Sequence, residues 1–244
     1  MAVSRSRIEK NLQRIRKNIQ AACDKAQRLP GEVSLVAVTK SVDLQTIKNL
    51  LDVGLRDLGE SRIQQLTARA DELDGYLRRC RATDKPSPDE VRWHMVGHLQ
   101  RNKVRQALEV ACTIHSVDSL RLAEAINARA ERAEKIADVL LQVNCSQESK
   151  KHGCAVGAAM HLAELICTLK HVRLTGLMTM APLAKDPAES RTAFLRLREL
   201  FEEIRNEKVG GKNFRHLSMG MSQDYAVAVE EGATILRIGT ALFE

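Results

Sequence analysis

From residue 33 to residue 239 the sequence alternates between two hydrophobic patterns. Short runs rich in Val, Ile and Leu fall at 33–39, 55–59, 91–97, 112–117, 138–144, 172–179, 214–219 and 233–239. Between them, over 43–53, 61–77, 101–110, 119–134, 155–170, 187–207 and 223–231, apolar residues recur at spacings of three and four. The first pattern suits strands buried on both faces, and the second suits helices that bury one stripe. A strand–helix alternation predicts a parallel sheet, because each crossover must return over a sheet face. Eight such strands and seven helices match a single (β/α)8 TIM barrel in number and length, with residues 1–244 as one domain. An open doubly wound sheet is the alternative. It normally has a Gly-rich turn after its first strand, and "TKSVD" is not one.

Residues 6–27 read as an extra N-terminal helix with the stripe Ile8, Leu12, Ile15, Ile19, Ala22, Ala26 and a capping box of Ser6 and Glu9. Its Arg-rich start also resembles a transit peptide, but the stripe runs on to Pro30-Gly31. Asp43, Ser61 with Gln64, and Asp118 or Ser119 read as helix starts; Gly54, Gly210-Gly211 and Gly232 read as stops. The polar stretch "RRCRATDKPSPDE" (78–90) reads as a surface loop.

No apolar run approaches the roughly 20 residues of a membrane span, and the N-terminus lacks the apolar core of a secretory signal. Six scattered cysteines without a C-x-x-C pair suit free thiols in a reducing compartment, so a cytoplasmic protein is expected. The net charge of +7 favours anions. Nucleic-acid readers usually add stacking rings, and aromatics are only 3% here, so neither nucleic acid nor membrane is expected as a partner. Arg5, Arg14, Arg16 and Lys17 read as a solvated helix face.

In such barrels chemistry sits at the C-terminal strand ends. Collected in order, those ends are Lys40; Gly59-Glu60-Ser61; His94 and His98; His115 and Ser116; Gln142 and Asn144; Met178, Thr179 and Met180; Ser218, Gly220 and Ser222; and Arg237, Gly239 and Thr240. "LSMGMSQD" (217–224) and "RIGT" (237–240) leave strands seven and eight through small residues and hydroxyls. Such segments let backbone N–H groups approach a phosphate. Lys40 follows a buried strand directly. A lysine at a barrel mouth can lose its proton and attack an aldehyde, forming a Schiff base. It can equally reach solvent or pair with Glu60.

The ordered motifs "AVTK", "GE-S-R-x-Q", "WHMVGHLQRNKVR", "HSVDS", "LLQVN", "GLMTMAP", "LSMGMSQDY" and "EEGATILRIGTALF" closely resemble the YggS/PROSC family, from the N-terminal helix to residue 243. These are pyridoxal 5′-phosphate (PLP) homeostasis proteins with an alanine-racemase-like barrel. The resemblance implies that Lys40 holds PLP as a Schiff base. It implies phosphate loops at Ser218, Met219 and Gly220 and at Gly239 and Thr240. It sets Arg237 against the pyridine nitrogen, a cation that keeps the ring a poor electron sink. His94, Asn144 and Met178 would line the ring. The chain departs from the family pattern with Ser61 for Asn, at a cofactor-side contact, and with His98 for Pro, Arg101 for Ser and Glu244 for Gly.

The resemblance implies a carrier that buffers PLP or delivers it to apo PLP-dependent enzymes, without turnover, with monomer as the expected state. The alternative is an amino-acid racemase of the same fold. Racemisation needs an acid/base on each face of the α-carbon. In the alanine racemases that the barrel resembles, a tyrosine from a second, β-rich domain of the partner chain serves one face. This sequence stops at Glu244, and its Tyr76 and Tyr225 sit in helical patterns, so His94, His98 or Cys145 would have to substitute. A metal hydrolase using His94, His98 and His115 is a further alternative. No acidic cluster completes that set, so no metal is expected. Lys150 and Lys151, in "NCSQESKKHGC" (144–154), read as a solvated lid or, alternatively, a weaker second aldehyde site.

Overall fold

The apolar runs form strands β1 (Ser34–Val38), β2 (Asp57–Glu60), β3 (Arg92–Met95), β4 (Ala111–Val117), β5 (Ala137–Gln142), β6 (Val172–Met178), β7 (His216–Ser218) and β8 (Ile235–Ile238). In this computed structural model, which describes residues 2–83, 90–146, 148, 152–182 and 186–244, they close in chain order into an all-parallel barrel. Closure is made by β1 on β8, with Val36 opposite Arg237. Around the barrel lie α1 (Arg5–Lys25), α2 (Leu44–Asp52), α3 (Ile63–Ala82), α4 (Val104–Val110), α5 (Leu120–Arg132), α6 (Ala159–Cys167), α7 (Arg191–Asn206), α8 (Tyr225–Glu230) and α9 (Thr240–Phe243).

Alternation along each strand divides the core in two. Ala37, Leu58, Ile114, Val139 and Leu236 face outward and pack with the helices. Val36, Val38, Val96, Leu140, Met178 and Ile235 form a separate cluster inside the barrel. Among the described residues no helix is long and apolar enough to cross a membrane.

The helix boundaries correct several sequence expectations. The cap of α1 is Ser4, whose hydroxyl accepts from Arg7 N; Ser6 and Glu9 lie inside the helix, and Glu9 pairs with Arg5 at 2.8 Å. α3 is entered from Arg62 without a side-chain cap, so Ser61 caps nothing. The same helix runs to Ala82, because Leu77 and Cys80 continue its buried stripe into the stretch read as loop. Residues 84–89 of that stretch lie outside the described residues. α9 is too short to show a period, and its existence was not foreseen.

α1 explains itself through α9. Its stripe Ile8, Leu12, Ile15 and Ile19 is buried. On the same side Asn11 Nδ2 donates to Leu242 O at 3.0 Å and Arg7 Nε to Glu244 O at 2.9 Å. The extra helix thus satisfies carbonyls at the C-terminus of α9 that have no partner within a four-residue helix. Asn11→Ala is expected to destabilise the chain by about 1–3 kcal/mol by orphaning the buried Leu242 carbonyl. A urea titration checks it; an unchanged midpoint would show that α9 does not depend on α1.

Candidate functional site

Lys40 emerges from the C-terminal end of β1 into solvent, in a turn, and makes no ion pair among the described residues. The turn that carries it is anchored on both sides. Buried Glu60, ending β2, accepts from Thr39 Oγ1 at 2.5 Å and from Arg69 Nη1. Arg69, from α3, also donates through Nη1 to Thr39 O and through Nη2 to Val42 O at 2.8 Å. One guanidinium therefore staples residues 39–42 to the end of β2. Glu60 is not Lys40's partner; its charge is matched by Arg69, while its Oε2 is buried without a hydrogen bond.

On the neighbouring strands, Gly239 N–H and Ala241 N–H converge on Ser222 Oγ at 3.3 and 3.1 Å. The loop after β7 is held by Asp224, whose carboxylate accepts from Met221 N at 2.6 Å and from Ser190 Oγ at 3.2 Å. The result is a small cup of amides and one hydroxyl, closed below by Arg237 N–H donating to Gly220 O at 3.0 Å.

Between these parts a polar chain runs down the barrel interior. Arg237, 4% exposed, donates to Ser218 Oγ at 2.6 Å and to Thr179 O at 2.8 Å. Ser218 Oγ lies 2.9 Å from His115 Nδ1, His115 Nε2 lies 3.0 Å from His94 Nδ1, and His94 Nε2 lies 3.1 Å from Asp57 Oδ1. Proton positions follow from the ends. Burial disfavours a charged His94, but hydrogen bonds to Asp57 and Cys112 outweigh it and raise its pKa to about 9. His115 is pushed well below its usual range by full burial and by the cations His94 and Arg237, so it is neutral. His94 then donates to His115 Nε2, and His115 donates from Nδ1 to Ser218. Ser218 Oγ accepts from both sides. Burial lowers Arg237 to about 10, so it remains a cation at neutral pH; its side chain is hydrogen-bonded to neutral oxygens and makes no ion pair among the described residues.

A raised His94 pKa stabilises the fold fully below the unfolded value of 6.5 and progressively less as pH rises through about 9. The unfolding free energy, read from urea titrations, is therefore expected to fall between those pH values by an amount on the order of 3 kcal/mol. His94→Gln should lack that fall. An identical pH profile in the variant would refute the assignment.

Lys40 follows the end of β1, and Gly239 and Thr240 follow the end of β8, while Arg237 is buried within β8. Ser218, with both acceptor sites occupied by Arg237 and His115, belongs to the interior chain; the hydroxyl at the cup is Ser222. Met219 turns its side chain into the outer core, leaving only backbone for the loop. Met178 faces inward. Asn144 organises the loop after β5, donating to Glu148 O and accepting from Ser146 Oγ. Ser61 is half-buried beside Gly97. His94, His98 and His115 do not converge: His94 and His115 pair inside the barrel, and His98 faces Asp118. Lys150 and Lys151 lie outside the described residues. Arg69 was missed: it lies within α3, beyond the "ESR-x-Q" motif, whose one basic residue is Arg62. A cavity of about 450 Å³ opens at the opposite, N-terminal end, past Asp57 and His94. Its Arg92 and Arg173 are tied to Asp57 and Asp138, and it contains no lysine.

A parallel barrel with a strand-one lysine and a cup of amides after its last two strands defines a class, and the comparisons agree. Residues 10–244 match the family model for the N-terminal domain of alanine racemase. The chain is 36% identical to the pyridoxal phosphate homeostasis protein of Aquifex aeolicus over 95% of each chain. It superposes on an unknown protein from Bifidobacterium adolescentis at TM-score 0.89, with 37% identity over 100% of this chain and 98% of that one. It superposes on PipY of Synechococcus elongatus, solved with PLP bound, at TM-score 0.79, with 32% identity over 97% and 100%. The chain belongs to the pyridoxal phosphate homeostasis protein family, on the alanine-racemase N-terminal barrel.

Proposed function

We propose that this chain binds pyridoxal 5′-phosphate at the C-terminal mouth and acts as a carrier that holds the cofactor and passes it to apo PLP-dependent enzymes. The observation that carries the reading is the juxtaposition on adjacent strands β1 and β8 of a stapled lysine, a buried arginine with no ion pair among the described residues, and two amides already converging on one oxygen. When bound, the cofactor supplies an aldehyde and a phosphate dianion. Lys40 is the amine for the aldehyde. Ser222, Gly239, Thr240 and Ala241 supply donors for the phosphate, with Ser218 and Gly220 shaping the floor. Arg237 offers a permanent donor to a ring nitrogen, and Met178 and Ser61 border the mouth, with His94 further down the barrel interior.

The reading as a carrier without turnover rests on the groups that would move protons. Tyr225 OH accepts from Asn18 Nδ2 at 2.7 Å, and Tyr76 lies under the Lys48 ammonium. Both nitrogens of His94 are engaged by Asp57 and His115. Burial lifts the Cys145 thiol to about 11, which makes it a poor base at neutral pH. Six free cysteines accord with a reducing cytoplasm, and a closed barrel accords with a monomer.

The test is an absorbance spectrum of the purified chain with PLP, followed by borohydride reduction and peptide mass spectrometry. The expected adduct is a phosphopyridoxyl group on the peptide containing Lys40. Conversion of L-alanine or L-serine to the D-enantiomer, abolished by Lys40→Ala, would replace the carrier with a racemase.

A further inference from the structure

Away from the lysine and the amide cup, three consecutive strand ends bring together His98, Asp118 and His152. His98 follows β3, Asp118 directly follows β4, and His152 lies in the loop after β5. One ligand atom from each falls within 4.8 Å of the other two. His98 Nδ1 is 3.7 Å from Asp118 Oδ2, and the two imidazoles stack with centroids 4.1 Å apart and planes 13° from parallel.

The loop that carries His152 is built into place. Cys154 N donates to Gln142 O and Asn144 N to Cys154 O, both at 2.9 Å, and Gln142 Nε2 donates to His152 O at 3.1 Å. These bonds add a short parallel bridge to the end of β5. Gly153, at φ +122°, makes it possible, since a Cβ there would lie 2.7 Å from Asn144 N. The backbone is pressed onto the strand end, and His152 is delivered over His98. A solvated loop needs no such anchoring.

We infer that His98, Asp118 and His152 form a binding site for a divalent transition-metal ion of the zinc type, with one coordination position left open at the barrel mouth. Two neutral imidazoles and a carboxylate carry one negative charge and favour zinc, nickel or copper over magnesium or calcium. Tetrahedral coordination requires ligand atoms roughly 3.3 Å apart. His98 and His152 are exposed, so that approach is asked of surface side chains and not of the packed core. None of the three ligands belongs to the proposed cofactor site, so the two readings stand or fall separately.

Calorimetric titration of the untagged, chelator-treated chain with Zn²⁺ tests the site. One ion per chain is expected, with no binding of Mg²⁺. His98→Ala, Asp118→Asn and His152→Ala should each weaken Zn²⁺ binding by about tenfold or more. His161→Ala, which alters the exposed His161–Glu164 pair on α6, should leave it unchanged. With Cu²⁺, electron paramagnetic resonance should show two coordinated nitrogens, falling to one in His98→Ala and in His152→Ala. Absence of Zn²⁺ binding, binding that survives all three substitutions, or loss only in His161→Ala would overturn the assignment.

Discussion

Lys40→Ala should remain colourless when PLP is added, should yield no borohydride-stable adduct, and should bind the cofactor about a hundredfold or more weakly, a loss on the order of 3 kcal/mol. The fold should not register the change. Lys40 is solvent-exposed beyond the last residue of β1 and makes no ion pair among the described residues, so its removal leaves no buried group unsatisfied. Thermal melts of the two proteins should therefore superimpose. Arg69→Met is the informative companion. It keeps the amine but removes the staple on residues 39–42 and leaves Glu60 a buried carboxylate without its cation. It should lose stability as well as affinity, and breaking such a buried pair typically costs about 3–5 kcal/mol. A trapped adduct of undiminished yield in Lys40→Ala, on any other lysine, would end the proposed reading of this mouth.

Gly97→Ala should be among the most damaging single substitutions in the chain. A Cβ at this position would lie 2.1 Å from Ser61 O and 2.7 Å from Ser61 Cα. Those are backbone atoms of the turn between β2 and α3, so no rotamer change relieves the overlap. The turn must move, and with it the end of β2 that bears Glu60. The expected cost is about 3–5 kcal/mol, a drop in Tm of roughly 6–20 °C for a chain of this size. Differential scanning calorimetry reads it directly. A shift under roughly 2 °C would mean that the two turns separate at little cost.

The contrast between these two residues shows what could be read before folding. Lys40 was visible because a buried strand ending on a cation is anomalous wherever the strand lies. Gly97 was not singled out, since nothing in "VGHLQ" says that the turn after the second strand will press against it. His115 was assigned to a strand end and weighed as a metal ligand. Only closure of the cylinder placed it between His94 and Ser218, with Arg237 beyond. The same closure drew Ser218 inward and left Ser222, two residues past Gly220, to meet the amides of Gly239 and Ala241.

Periodicity is a local property, so the order of strands and helices, the barrel they close into, and the strand ends that carry polar groups were all written in the residue pattern. The register of β1 on β8, the hand-off of hydrogen bonds from Arg237 to Asp57, the anchoring of residues 39–42 by Arg69, and the meeting of His98 with His152 were not. Each joins residues separated by tens to hundreds of positions. Whether two such side chains meet depends on strand tilt, loop path and packing, to which short-range spacing carries no reference.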